Sequence, residues 1–277
     1  MAPTRKQGGV KHRRNRTRRR RNNRTRHRNQ RGAALFNFFQ TETKHLCQCP
    51  RNKDEDACKN PVVPGTVFCS KHQNCKSPPF SGSELPYNPD VYNKDPAVRK
   101  THNCLSYALG ILRPQAVKTC RKIRKNCRRL FQQPGNRSGR SNMNRNSRLR
   151  CDVISDLLLK DYPTVKKSSF YEQCPANHYK IASVVDKGND HHWYRMNEDS
   201  HQPDKALWSH KSGEQDVTNR DAQGQPIFNP KQAARDYTDR PDSNLNYEDF
   251  CGFYCVPRGL QGPGVSKKVE EEMEEQN

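Results

Sequence analysis

The chain has no apolar run of about 18 residues, the length that a membrane-spanning helix needs, so we expect no membrane span. A secretory signal needs an apolar segment after its basic N-terminal residues, and no such segment follows the basic residues here. We therefore expect a protein that is not secreted. Only 31% of the 277 residues are hydrophobic, too few for one core of that size. These shortages predict one compact domain of modest size joined to extended segments.

Acidic residues are absent from two long blocks of the chain. Residues 1–31 carry 14 Lys and Arg, residues 105–150 carry 13, and neither block contains Asp or Glu, while the formal net charge of the chain is +22. Because like charges repel and nothing apolar compensates, residues 1–34 are predicted to be a disordered arm.

Arginine-rich arms of this kind bind polyanions, because each planar guanidinium group matches the geometry of phosphate oxygens. The favoured partner is nucleic acid, RNA or DNA, bound without sequence preference through contacts that weaken as salt rises. The residues predicted to make these contacts are Arg13, Arg14, Arg16, Arg18, Arg19, Arg20, Arg21, Arg24, Arg26 and Arg28.

Twelve cysteines in a chain without a recognised secretory signal indicate a reducing compartment, with metal binding or catalysis favoured over a disulfide scaffold. Residues 45–76 are predicted to be a small zinc module, with the spacing C-x-C-x8-C-x10-C-x2-H-x2-C. Zinc prefers four Cys or His ligands in a tetrahedron, and a closed site of this kind has a structural role. The predicted ligands are Cys49, Cys58, Cys69 and His72, with Cys47 and Cys75 as further candidates. The segment resembles the small C…C…FCxxH zinc modules of large DNA viruses and phages.

Residues 77–100, rich in Pro, Ser, Asn and Asp, are predicted to be a linker into a main domain at 101–258, and 259–277 to be an acidic disordered tail. Helical spacing is predicted for HNCLSYALGIL, for the segment from Pro114 to Phe131, and for CDVISDLLLKDYP. The runs YKIASVV, HHWYRM, ALWSH and FCGFYCV have the composition of strands. Helices followed by strands predict an α+β domain with a small antiparallel sheet.

The remaining cysteines carry weaker signals. Cys120 and Cys127 lie on one helical stripe, which predicts core packing. Cys251 and Cys255 face one side of a strand but lie too far apart for a mutual disulfide, so core positions are expected there too. Cys151 and Cys174 give no readable pattern.

A catalytic arrangement is predicted for Cys104, His192 and His210. Cys104 begins a predicted helix, where the free amide groups favour a thiolate. His192 lies on one predicted strand as general base, and His210 on the next as the group that orients it. His191 is the alternative base, and a buried core role is the alternative for Cys104.

Two family resemblances accompany these residues. The order of NCLSYALG, HHWYR and WSHK is similar to that of papain-like cell-wall peptidases of the NlpC and amidase type, which implies a helix-borne cysteine packed on a small antiparallel sheet. The longer set NCLSYALG, FQQPGNRSG, HHWYRMNED, WSHKSG and FCGFYCVP resembles an uncharacterised protein family of giant DNA viruses. That resemblance implies a viral protein in the virion or infected host cell, with other viral structural proteins as partners, and supplies no activity.

Two hypotheses of function follow. The first is a nucleic-acid-associated viral protein that carries a papain-like cysteine hydrolase domain. The second is a non-catalytic virion structural or nucleoprotein-like factor with a zinc module. The set Cys104, His192 and His210 separates them, because the basic arm and the cysteine cluster are compatible with both.

Overall fold

A computed structural model of the protein describes residues 45–52, 55–123, 126–139, 149–198 and 206–265, together with Glu271. The arm predicted at 1–34 and its ten arginines lie outside these ranges, as do residues 266–270 and 272–277 of the predicted acidic tail. No helix within the described ranges has the length and hydrophobicity to cross a membrane. The described helices are α1 (Asp90–Asn93), α2 (Pro96–Thr101), α3 (Cys104–Ala108), α4 (Pro114–Ile123) and α5 (Cys151–Asp161), with 3-10 turns at Ser70–His72 and Cys127–Leu130.

The strands form one six-stranded sheet in the order β1-β6-β2-β3-β4-β5, and each neighbouring pair is antiparallel. The prediction of an α+β domain with an antiparallel sheet is confirmed. The register between β2 and β6 shifts at Ser183, opposite Gly252, whose φ of 139° is a conformation that few other residues adopt. The strand bounds are β1 (Lys166–Ser168), β2 (His178–Asp186), β3 (Asp190–Met196), β4 (Trp208–Lys211), β5 (Val217–Thr218) and β6 (Asp249–Pro257).

The two faces of the sheet carry separate cores. Side chains alternate across a strand, so Trp193 and Tyr194, which are neighbours on β3, point to opposite faces. Trp193 packs in a core with residues of α3 and α5, and Tyr194 packs in a core with residues of the cysteine-rich segment and of the chain between β5 and β6. The sheet therefore divides the helices from the cysteine-rich segment.

The helix at Cys104 is shorter than the sequence predicts. It ends at Ala108 because Gly110 has a φ of +62°, and a Cβ there would lie 2.6 Å from the Leu85 side chain. Leu112, the last residue of the helical segment that we predicted, lies beyond the helix and is 49% exposed. Helix α4 begins at Pro114 as predicted, but a 3-10 turn replaces the expected continuation toward Phe131.

The segment predicted as a linker is part of the folded domain. Residues 77–100 contain α1 and most of α2, Tyr92 is buried, and Leu85 forms a parallel bridge with Asn197. The first residues of the predicted tail also pack, since the Arg113 side chain donates to the Pro263 carbonyl at 3.0 Å. Both predictions were wrong there because short polar segments can order by packing on a core that lies far away in sequence.

Eight of the twelve cysteines are joined in disulfides, so the expectation of metal binding or catalysis instead of disulfides was wrong for them. The pairing could not be read from sequence because two of the bonds span 100 and 81 residues. Disulfides persist in oxidising compartments, which argues against the reducing compartment that we expected. The bonds are Cys49–Cys75, Cys120–Cys127, Cys151–Cys251 and Cys174–Cys255.

Candidate functional site

Cys104 is placed by a capped helix start. The Asn103 side chain accepts a hydrogen bond from the Ser106 amide at 3.3 Å and donates to the Gln132 carbonyl at 2.8 Å, which fixes the first turn of α3. The Cys104 thiol is 5% exposed and donates to the His191 carbonyl at 3.8 Å. Burial, together with the nearby Asp190 carboxylate, raises the pKa of this thiol, so Cys104 is protonated at neutral pH.

His192 and His210 form a directed pair on neighbouring strands. The His210 Nε2 lies 2.9 Å from the Arg220 carbonyl, which can only accept, so His210 carries its proton on Nε2. Its Nδ1 then accepts from the His192 Nε2, 2.8 Å away. Burial lowers the pKa of His210 to about 4 and that of His192 well below its usual range, so both rings are neutral. His192 is left with an unprotonated Nδ1, as a general base requires.

His191, the alternative base, has both ring nitrogens engaged. Its Nε2 donates to the Gln133 side-chain oxygen at 2.9 Å, and its Nδ1 accepts from the Trp193 indole at 3.1 Å. Burial also lowers the pKa of His191, which agrees with a neutral ring in that arrangement. The hydrogen bonds therefore favour His192 over His191 as the base.

A cavity of about 540 Å³ brings Cys104 and His192 to one space. Pairing between β3 and β4 starts at Tyr194, so the first residues of β3 have no partner on that side among the described strands. At this point Cys104, which lies on the face of the sheet that carries α3, and His192, which lies on the opposite face, both line the cavity. His210 lies behind His192. No hydrogen bond within the described residues joins the Cys104 sulfur to His192; catalytic contacts often tighten only when substrate binds.

Aromatic rings hold the His192 imidazole in place. The Tyr194 ring meets it edge-on at a centroid distance of 5.1 Å, and the Tyr247 ring lies against it at 5.4 Å. The Tyr247 hydroxyl donates to the Asp190 carboxylate at 2.8 Å. Asp190 and Tyr247 lie outside every motif quoted from the sequence, and sequence reasoning missed them as part of the site.

The far wall of the cavity is the loop at 235–247, which is clamped by one buried side chain. The Arg235 guanidinium donates to the carbonyls of Pro230, Lys231 and Tyr247 at 2.6 to 2.8 Å. The ends of the loop are joined by backbone hydrogen bonds between Arg235 and Tyr247 and between Tyr237 and Leu245. The wall is thus fixed by the fold before any ligand enters.

A second site groups three cysteines and one histidine. Their ligand atoms all lie within 4.8 Å of one another, with Cys58 and Cys69 sulfurs 3.9 Å apart and the His72 Nδ1 3.4 Å from the sulfurs of Cys47 and Cys69. A metal 2.3 Å from each thiolate in a tetrahedron separates the sulfurs by about 3.8 Å, so this arrangement could hold a metal ion.

The membership of this cluster corrects our predicted ligand set. Cys58, Cys69 and His72 are present as expected, but Cys49 is bonded to Cys75 in a disulfide, and Cys47 takes the fourth position. Cys47 and Cys49 are two residues apart in an extended segment, and the spacing alone does not distinguish them.

The metal cluster is attached to the domain, not separate from it. The Gln48 side chain accepts from the amides of Phe228 and Asn229 and donates to the Pro226 carbonyl, all within 3.1 Å. The Phe68 ring packs edge-on against Phe228 at 4.8 Å. The segment that holds the cluster therefore contacts the chain that leads into the cavity wall.

Comparisons with known proteins yield one informative similarity. No protein-family profile matches the chain, and no solved structure matches it. A protein described as insoluble matrix shell protein 1, from Ruditapes philippinarum, is 28% identical over 170 residues, which cover 61% of this chain and 88% of the shell protein. The chain is thus similar to a shell matrix protein, and the resemblance to a giant-virus family stays a prediction.

Proposed function

We propose that the folded domain is a thiol hydrolase of papain-like arrangement, which cleaves amide bonds with Cys104 as nucleophile, His192 as base and His210 as the orienting group. The observation that carries this proposal is the His192–His210 hydrogen bond, which leaves His192 Nδ1 unprotonated beside a cavity that Cys104 also lines. Cys104 is moreover the one cysteine of twelve that is neither in a disulfide nor in the metal cluster.

The chemistry follows from these groups. The Cys104 sulfur bonds to the carbonyl carbon of the substrate as its proton moves to His192 Nδ1. His192 then gives this proton to the amide nitrogen as the C–N bond breaks, so that an amine leaves. Water, deprotonated by His192, attacks the resulting thioester and releases a carboxylic acid and the free thiol. His210 stabilises the charged His192 ring by accepting its Nε2 proton in a hydrogen bond.

The resting state of this pair is neutral, not a thiolate and an imidazolium. Burial raises the pKa of Cys104 and lowers that of His192, so both groups hold their uncharged forms near pH 7. We expect kcat/KM to be flat across neutral pH and to fall only below pH 6.5, since His192 stays unprotonated down to its lowered pKa.

We propose zinc as the metal at Cys47, Cys58, Cys69 and His72, in a structural role. Three thiolates and an imidazole at tetrahedral separations are the ligand set that zinc prefers, and four protein ligands leave no position open for a substrate. The metal would hold together a segment that has few buried apolar residues.

We also propose that the protein works outside the cell, in a matrix. Four disulfides and the similarity to a shell matrix protein support this location over the virion or infected cell of our sequence-based expectation. The basic segment 1–31 is proposed to bind polyanions there, and nucleic acid stays a prediction as its partner. Binding that does not weaken between 50 and 200 mM salt would contradict the electrostatic part of this proposal.

The catalytic proposal is tested by peptide hydrolysis. The full chain is incubated with a mixture of synthetic peptides, and cleavage is followed as newly formed amino groups. We expect Cys104→Ala to lower the rate by about 10³-fold, and His210→Gln by about 10- to 100-fold. His178→Gln, which changes a histidine that does not line the cavity, is the matched control.

A non-catalytic matrix protein is the second candidate. The burial of Cys104 and the similarity to a shell matrix protein favour it. In that case wild type and Cys104→Ala give the same background rate.

A further inference from the structure

The cavity at Cys104 carries negative charge that the described residues do not neutralise. Of its carboxylates, Glu214 pairs with Arg128 at 3.1 Å. Asp190 and Asp242 also line the cavity, and neither has a cationic partner within the described part of the chain. Asp190 lies close enough to raise the pKa of the Cys104 thiol, so its charge reaches the reacting atom.

The remaining cation of the cavity is already committed. The Arg240 side chain donates to the Ala222 carbonyl at 3.1 Å, and its guanidinium group lies 4.6 Å from the centroid of the Tyr237 ring. Among the described residues, Arg240 forms no ion pair with Asp190 or Asp242. With Arg128 paired to Glu214, two carboxylates remain against one guanidinium group, so the cavity favours a cationic ligand group.

An independent observation indicates that a polar ligand belongs here. Tyr237 lines the cavity and is 8% exposed, yet its buried hydroxyl has no hydrogen-bond partner among the described residues. A buried hydroxyl without a partner costs about 1–3 kcal/mol, and a ligand oxygen or nitrogen in the cavity would relieve that cost.

We propose that the cavity binds amide substrates that carry a positive charge next to the scissile bond, such as lysine or arginine residues of a peptide. Asp190 and Asp242 attract the cationic group, and the Tyr237 hydroxyl bonds to a polar atom of the peptide backbone. This inference rests on the proposed hydrolase function, because it names the class of substrate. Binding of a cationic group near Cys104 does not itself require turnover.

Charged thiol reagents of equal size test the selectivity on the wild-type full chain. Cys104 is labelled with cationic 2-aminoethyl methanethiosulfonate or with anionic 2-sulfonatoethyl methanethiosulfonate, and peptide mapping by mass spectrometry gives the rate at this residue alone. The rate measured with each reagent is divided by the rate at which the same reagent labels a neutral free thiol in solution. We expect the cation-to-anion ratio at Cys104 to be about tenfold higher than at the free thiol.

Two variants locate the charge that produces this ratio. Asp242→Asn is expected to lower the ratio by about fivefold. Asp239→Asn, which changes a carboxylate of the same loop that does not line this cavity, should leave it unchanged. A ratio in the wild type equal to that of the free thiol, or an equal fall in both variants, overturns the proposal.

The outcomes separate this inference from the hydrolase proposal. Labelling of Cys104 without charge preference overturns the cation site and leaves the nucleophile accessible. No labelling by either reagent means that Cys104 is sealed, which overturns both. With peptides, Tyr237→Phe should lower kcat/KM for a lysine substrate by about fivefold, and equal kcat/KM for lysine and ε-acetyl-lysine peptides would contradict the charge selection.

Discussion

The metal-cluster segment and the sheet of this protein are ordered by different means. Residues 45–76 contain one 3-10 turn and few buried apolar side chains other than Val67, Phe68 and the cysteines. The sheet is held by backbone hydrogen bonds and two apolar cores. A segment with little core depends on a few strong links, so removal of one link should disorder all of it, whereas the sheet should lose stability in small steps.

Removal of the metal is expected to have the largest effect. Structural zinc contributes about 10 kcal/mol or more to the folding of small modules, and the Cys49–Cys75 disulfide, by closing a loop of 26 residues, adds about 3 kcal/mol. We expect a chelator to raise amide hydrogen exchange throughout 45–76 by more than 100-fold, while the exchange of β2 and β6 changes little.

Cys69→Ser should reproduce the effect of the chelator, and Ser70→Ala, which changes an exposed neighbour, should not. Uniform loss of protection across the sheet would show that the two regions unfold as one unit and would end the contrast between them.

Phe228→Ala is expected to have the next largest effect, because this side chain lies where the two regions meet. Phe228 is 1% exposed and packs against Phe68 at 4.8 Å and Phe170 at 5.9 Å. Loss of a buried Phe side chain costs about 3–5 kcal/mol, measurable by urea unfolding. Phe250→Ala, at a partly buried position of the same core, should lower the unfolding free energy clearly less. Equal costs would mean that the contact between the two regions contributes no more than other contacts of this core.

Acid is expected to weaken the sheet region through its buried histidines. The pKa values of His102 and His210 are lowered to about 4 by burial, and those of His191 and His192 are also lowered. The unfolded chain binds these protons near pH 6.5, so the unfolding free energy is fully present above that pH and falls toward pH 4. Each histidine contributes at most about 1.4 kcal/mol per pH unit.

Urea unfolding at pH 7, 5.5 and 4.5 measures this slope. His210→Gln should make the decline shallower, and His178→Gln, at the partly exposed start of β2, should not. An unfolding free energy that is constant across this range would show that the histidines take up protons at the same pH in the folded and unfolded states, against their lowered pKa values.

Much of the sheet region was predictable from sequence, because its elements are set by local pattern. The run YKIASVV lies within β2, FCGFYCV lies within β6, and CDVISDLLLKD is α5. Strands β1 and β5 were missed, since three and two residues carry too little periodicity to detect. The strand order, which places β6 between β1 and β2, depends on contacts far apart in sequence.

The catalytic residues of the candidate site could be predicted from sequence, because cysteine and histidine are residue types with a characteristic chemistry. Cys104, His192 and His210 were named from order and composition, and the structure brings His192 and His210 into hydrogen-bond contact and Cys104 to the same cavity. Tyr237 and Asp242 come from a loop whose path is set by the Arg235 clamp, so no local pattern indicated them. His192 was also preferred over His191 from sequence, but the hydrogen bonds that favour it depend on which strand lies beside β3.

The position of β6 has a consequence for how the chain is made. The sixth strand along the chain, Asp249–Pro257, is an interior strand of the sheet, between β1 and β2. Until it arrives, β2 presents an open edge, and Cys151 and Cys174 lack their partners on that strand. The sheet therefore closes, and two of its disulfides form, only after residue 257 has been synthesised, and a chain cut before residue 249 has no route to the native core.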